Sequence, residues 1–163
     1  MLRFVLATFL AVHSNACLAN EEIVLKQPNA PLAIVSYQSS YKSADRGIGD
    51  GSIIHRLEVK NVSDKKVEAY GIGFRTFDTF KRSMGRPFVG YDMSVVATGI
   101  STSPIWENRA LSAYLFRRHG IGVAYVAIVR LEDGTIWKAD EASITRQLTD
   151  LELDLTVSEE FKK

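Results

Sequence analysis

Between Gly122 and Asp140 the chain carries a β-prone run, Val123 to Leu131, then Glu132-Asp133-Gly134-Thr135, then a return beginning Ile136-Trp137-Lys138. Asp-Gly between two such runs is among the strongest short-range hairpin signals, because glycine takes a positive φ at no steric cost. A chain organised around this segment must build antiparallel sheet, and the same period of two recurs elsewhere. From Ile53 to Asn61, the side chains of Ile53, His55, Leu57 and Val59 fall on one face and those of Arg56, Glu58 and Lys60 on the other, with Ile54 the apolar exception. That is the pattern of a half-buried strand. Asn61-Val62-Ser63-Asp64-Lys65-Lys66 is turn chemistry, since short polar side chains bond their own backbone. Tyr70, Ile72 and Phe74 then alternate through Val67 to Asp78, so the two strands are expected to pair as a hairpin.

Leu32 to Tyr41 is rich in β-formers, and residues 43–52 read as a glycine-bearing loop. Val89 to Thr98 suits a third paired strand that Ser101 to Pro104 breaks, and Leu111, Ala113 and Leu115 keep a period of two within Trp106 to Phe116. Asp140 is placed to cap a short helix, with Glu141 favourably near its N-terminus and Ile144 and Leu148 on its buried face. Beyond it, strict alternation of Leu151, Leu153, Leu155 and Val157 fits an edge strand, whereas the spacing 144, 148, 151, 155 fits a longer helix; both stay open. Six or seven short strands with frequent turn signals, and at most one short C-terminal helix, predict an all-β antiparallel sandwich in one domain.

Residues 1–19, MLRFVLATFLAVHSNACLA, have the anatomy of a secretory signal: Arg3, an apolar run from Phe4 to Val12, and a small-x-small site, Cys17-Leu18-Ala19, before Asn20. Spanning a bilayer takes about twenty apolar residues, far more than this run supplies. The reading is a signal peptide over 1–19, a lead-in over 20–31 in which Pro28 and Pro31 prevent a helix, and the sandwich over 32–163. The mature protein is expected to be exported, periplasmic or extracellular. Lipid anchoring at Cys17 is the lesser alternative, because Ser14-Asn15-Ala16 lacks the apolar residue that opens a lipobox. Cleavage after Ala19 leaves no cysteine, so the core must hold the fold without a disulfide, as a chain of this size can.

Losing residues 1–19 removes Arg3 alone among charged groups, leaving 19 basic against 19 acidic residues. That balance argues against nucleic acid, whose binding needs an excess of basic groups. No Gly-x-Ser-x-Gly elbow or Gly-Lys-Ser/Thr phosphate loop occurs, and Asp45 and Asp50 do not follow the oxygen spacing of an EF-hand calcium loop. A hydrolase would need His55 or His119 beside a carboxylate, or a carboxylate pair such as Asp78 with Asp133. Copper handling would need soft donors, of which the mature chain offers His55, Met84, Met93 and His119. His55 sits on an apolar face and reads as a core histidine; His119 reads as part of the Arg117-Arg118-His119-Gly120 turn. No cofactor or resident metal is expected. Between Phe77 and Phe88, Lys81, Arg82 and Arg86 interleave with phenylalanines, so Phe80, Arg82, Arg86 and Phe88 are the candidate binding residues. Trp106 and Trp137 read as core or rim packing.

Two stretches carry a family likeness: Leu57-Glu58-Val59-Lys60-Asn61-Val62-Ser63-Asp64-Lys65-Lys66-Val67-Glu68-Ala69-Tyr70, and Val129-Arg130-Leu131-Glu132-Asp133-Gly134-Thr135-Ile136-Trp137. Together they resemble small bacterial exported immunoglobulin-like or fibronectin-III-like domains of unknown function, in which an N-x-S-x-K turn precedes a strand and a late hairpin reads D-G-T-x-W. The likeness covers roughly residues 53 to 140. It implies an immunoglobulin-like sandwich, with Tyr125 in the role of a tyrosine corner, and brings no activity with it. The expectation is an exported, non-catalytic binding or structural module for a protein or glycan partner.

Overall fold

A computed structural model of the chain describes residues 20–43, 51–109 and 117–156. Among them run β1 (Glu21–Val24), β2 (Leu32–Lys42), β3 (Ser52–Asn61), β4 (Val67–Asp78), β5 (Phe88–Asp92), β6 (Ser101–Thr102), β7 (Ile105–Arg109), β8 (His119–Leu131), β9 (Ile136–Lys138) and α1 (Glu141–Asp150). The described strands form two sheets. One has the order β1-β8-β4-β5 with β9 also on β8; the other has β2-β3, with β6 and β7 following one another along the far edge of β3. Every ladder is antiparallel except β1 on β8, which is parallel from Glu21 opposite Ile121 to Val24 opposite Ala124. The chain is therefore mostly β, in two layers of antiparallel strands with one short helix among the described residues. No helix among them is long and apolar enough to cross a membrane.

The Asp-Gly hairpin forms as its residues dictate. Gly134 takes φ 81°, the Asp133 carboxylate accepts from the Thr135 N–H at 3.0 Å, and Ile128, Val129 and Arg130 pair with Lys138, Trp137 and Ile136. The other expected hairpin does not form. β3 and β4 lie in different sheets, and residues 61–66 carry the chain from one layer to the other. The turn chemistry is as expected: Asn61 donates to the carbonyls of Lys65 and Val96, while its oxygen accepts from the Ser63 N–H and hydroxyl. Its geometry folds the layers together because both strands have inward apolar rows to cover. Leu57 and Val59 of β3 meet Tyr70, Ile72 and Phe74 of β4 and Ala124, Val126 and Val129 of β8 in one interlayer core.

β4 and β8 are covered on both sides. On their outer face Phe77, Ile121 and Val123 pack with Leu25 and with Ile144 and Leu148 of α1. Asp140 caps α1 by accepting from the Ala142 N–H at 3.0 Å. The helix ends at Asp150, so neither reading holds over residues 151–156: Glu152 takes φ 58° and reverses the chain, which turns buried Leu153 inward and pairs Asp154 with Arg82. Residue 157 lies outside the described residues, as do the loop residues Asp45 and Asp50, the alternating Leu111, Ala113 and Leu115, and the signal segment 1–19.

The lead-in forms no helix but carries a strand, β1. β1 docks on β8, and where its backbone leaves the sheet the Gln27 side chain takes over the ladder, donating to the Val126 carbonyl at 2.8 Å and accepting from the Val126 N–H at 2.7 Å. Gln147 of α1 does the same for Lys26, accepting from its N–H and donating to its carbonyl. Two amide side chains thus stand in for missing backbone partners. Likewise the Ser101–Pro104 break contains β6.

Candidate functional site

The predicted surface residues do not gather into one patch. Phe80 is 75% exposed and the Arg82 guanidinium lies over its ring, 5.4 Å from the centroid. Arg82 is also bound to Asp78, donating from Nε at 2.8 Å and Nη2 at 2.7 Å, while the other carboxylate oxygen accepts from the N–H groups of Phe80 and Arg82. Burial acts to raise the Asp78 pKa, but these bonds outweigh it and the net shift is downward. Arg86 is exposed, whereas Phe88 turns inward, half-buried on the core beside Phe74 at 5.8 Å. The period of two explains the split: Phe88 begins a strand whose inward positions must cover the interlayer space.

The carboxylate pair proposed for hydrolysis is not a pair. Asp78 pairs with His119 at the start of β8 and Asp133 lies beyond its other end, roughly 40 Å away at about 3.3 Å per residue. Asp133 belongs instead to Lys65, whose hydrogen bond is the main cause holding its carboxyl well below the usual range. The four soft donors do not share one site, because His55, His119 and Met84 are buried and Met93 is at the surface. Met84 is buried against Ile53 and Tyr41, and Met93 is 81% exposed, five residues and roughly 16 Å along the chain from Phe88. Among the described residues no three His, Cys, Asp or Glu side chains cluster as a metal site would require.

Both histidines lie inside the sandwich. His55 is fully buried, its ring stacked on Phe74 at 4.2 Å. His119, expected in a turn, is the first residue of β8 and is 7% exposed, because β4 extends far enough to pair Asp78 with it. Two hydroxyls of β2 join them. Tyr37 shares a 2.9 Å hydrogen bond with Nδ1 of His55, Ser39 shares one of 2.8 Å with Nε2 of His119, and the Tyr37 hydroxyl faces Ser39. The chain therefore runs His55, Tyr37, Ser39, His119, and its last bond crosses from one sheet to the other. It closes over Gly122, where a Cβ would meet Ser39 Oγ and, at 2.6 Å, the Tyr37 hydroxyl. Its outer ends, Nε2 of His55 and Nδ1 of His119, are buried with no hydrogen-bond partner among the described residues. Burial, and then the proximity of His119, lowers the His55 pKa to about 3; burial lowers that of His119 to about 4. Burial also raises that of Tyr37. At neutral pH every member is uncharged.

A cleft of about 260 Å³ opens where β1 leaves the sheet, lined by Lys26, Pro28, Asn29, Trp137, Lys138 and the first turn of α1. Lys26 and Lys138 are exposed, Trp137 is half-buried on the core, and Asp140 turns its carboxylate to the helix backbone. Sequence reasoning placed Trp137 at the core or rim but missed its lysine neighbours, which come from segments 112 residues apart. Tyr125, cast as a tyrosine corner, instead lays its ring over Gly73 of β4 with its hydroxyl beside Arg75.

No family model matches the chain, and no curated protein matches it. Among solved structures it is similar to an X-ray structure of a hypothetical protein from Peptoclostridium difficile 630, with a TM-score of 0.52 and 11% identity over 76% of this chain and 92% of that one. A structural-genomics target is similar at TM-score 0.44 and 8% identity, over 67% of this chain and 80% of that one. At such identities the first likeness is one of fold alone.

Proposed function

We propose that the chain is an exported, immunoglobulin-like binding module that holds an acidic partner in the cleft between Lys26 and Lys138, without catalysis. The observation that carries this reading is the meeting, in one concave surface, of two lysines that form no ion pair among the described residues with the half-buried ring of Trp137. A cleft with an aromatic wall and a few convergent polar groups suits a ring-bearing anion: the ring covers the indole while its charge meets the ammonium groups. An acidic oligosaccharide has that chemistry. The signal-like segment at residues 1–19 supports export of such a module. The hydrolase and copper readings have no comparable support, because both imidazoles are buried inside the sandwich and among the described residues no carboxylate hydrogen-bonds either of them.

The test is an NMR titration of the mature protein with tri-galacturonate, and separately with a penta-glutamate peptide. A saturable shift of the Trp137 indole N–H and the Lys26 and Ser143 amides is expected with the sugar, and should vanish in a Lys26→Glu, Lys138→Glu variant while surviving Arg82→Glu. Response to the peptide alone would make the partner a protein. Silence with both probes at millimolar concentration, or loss of binding through Arg82→Glu, would overturn the cleft assignment.

A further inference from the structure

We propose that the His55–Tyr37–Ser39–His119 chain is an acid-released clasp, holding β2 against β8 while the imidazoles are uncharged and letting go when both take up a proton. This goes beyond the binding reading and does not depend on it. The argument rests on hydrogen-bond direction. A hydroxyl has one proton to give, so a chain of two hydroxyls between two rings runs one way or the other. With both rings neutral, one ring donates into the chain, each hydroxyl passes its proton along, and the far ring accepts. One added proton is compatible with this order, since the charged ring simply becomes the donating end. Two are not. Nδ1–H of His55 and Nε2–H of His119 would then both point inward, and one hydroxyl proton would have no acceptor.

Among the described residues, no carboxylate is bonded to either ring to neutralise the second charge. From β4, Phe74 stacks on the His55 ring, Arg75 belongs to the outer face, and Asp78, opposite His119 in the ladder, is bound by Arg82. From β5 comes Phe88, and from β7 Trp106 opposite His55, while Glu107 accepts from Ser52. Arg118 precedes His119 at the start of β8 and supplies no carboxylate. From β1, Glu22 accepts from the Ser39 N–H at 3.4 Å and Asn20 donates to the Ser39 carbonyl, both on backbone. Among the described residues no carboxylate hydrogen-bonds either ring. Two buried charges, with one hydroxyl proton left without an acceptor between them, must separate the sheets at this joint.

In the open chain each histidine titrates near 6.5, well above its value in the closed sandwich. The stabilisation is thus complete above pH 6.5 and is lost as pH falls below it. Between pH 6 and 5, above the range of the carboxylates, the closed-to-open ratio should drop about a hundredfold per pH unit, tenfold for each proton taken up.

His55 and His119 are the only histidines beyond residue 19, so two imidazole Cε1 resonances report the whole titration in the mature protein. Both are expected to stay neutral to below pH 5 and then change together, at the pH where amide exchange of Tyr37, Ser39 and Gly122 accelerates. A His55→Gln, His119→Gln variant should flatten the pH dependence of urea unfolding between 6 and 5. Independent titration of either ring near 6.5 in folded wild-type protein would overturn the clasp whether or not the variant folds, and so would an unchanged slope in a folded variant.

Discussion

Gly122 shows what a single position contributes. The space where its side chain would stand is filled by the hydroxyls of Tyr37 and Ser39, so Gly122→Ala should push both off their imidazoles. Overpacking costs about 1–3 kcal/mol, and the displaced bonds bring the expected loss to about 2–3 kcal/mol in urea unfolding. The same variant should let the histidines titrate closer to 6.5, which proton NMR would read; unchanged histidine titration would show that the hydroxyls tolerate the methyl. The burial of His55 could be read from its place on an apolar face, since period two alone fixes that. Its partners could not, because which β2 residue stands over His55 depends on a register that pairs Ser39 with it and passes a bulge between Ile34 and Ser36. His119 was misread for a similar reason: Arg117-Arg118-His119-Gly120 looks like turn chemistry until β4 is long enough to reach it.

Among the elements, the strands were legible and one of their connections was not. Alternation from Ile53 to Val59 and from Tyr70 to Phe74 gives β3 and β4 their inward faces, yet the same alternation suits a hairpin and a crossing between layers equally well. Only the buried amide of Asn61, tied to the carbonyls of Lys65 and Val96, distinguishes them, and Val96 is too far along the chain to be paired by inspection. At the late hairpin, by contrast, the turn residues alone fix the geometry, because Gly134 takes its positive φ at the end of a turn that its N–H closes on the Leu131 carbonyl. The helix was foreseeable from its cap, while its end depended on Glu152 reversing the chain to bury Leu153. Its stability comes from packing more than from capping: Leu148→Ala, in a fully buried site, should cost about 2–5 kcal/mol, whereas Asp140→Ala should cost about 1 kcal/mol. Comparing urea midpoints of the two variants checks this, and equal losses would mean that α1 is held by its end rather than by its face.

Over the whole molecule, two layers close over a core in which the large side chains Leu32, Tyr70, Ile72 and Phe74 are nearly inaccessible, with no cysteine beyond residue 19 to staple them. A chain of this size buries enough apolar surface for that. Composition and alternation made the two-sheet plan readable. The parallel seat of β1 escaped notice because four residues, Glu21-Glu22-Ile23-Val24, carry too little pattern to announce a strand. That seat orders events in time. Glu21 rests opposite Ile121, one hundred residues downstream, so the first of the described strands waits for one of the last. Long-range pairing of this kind slows folding, and relaxation in milliseconds to seconds is expected by stopped-flow; microsecond folding would show that β1 docks after the rate-limiting step. During that wait the rim of β8 is bare and will accept any extended peptide, a neighbouring nascent copy included. A variant lacking residues 20–25 should therefore keep its sandwich and become prone to edge-to-edge aggregation.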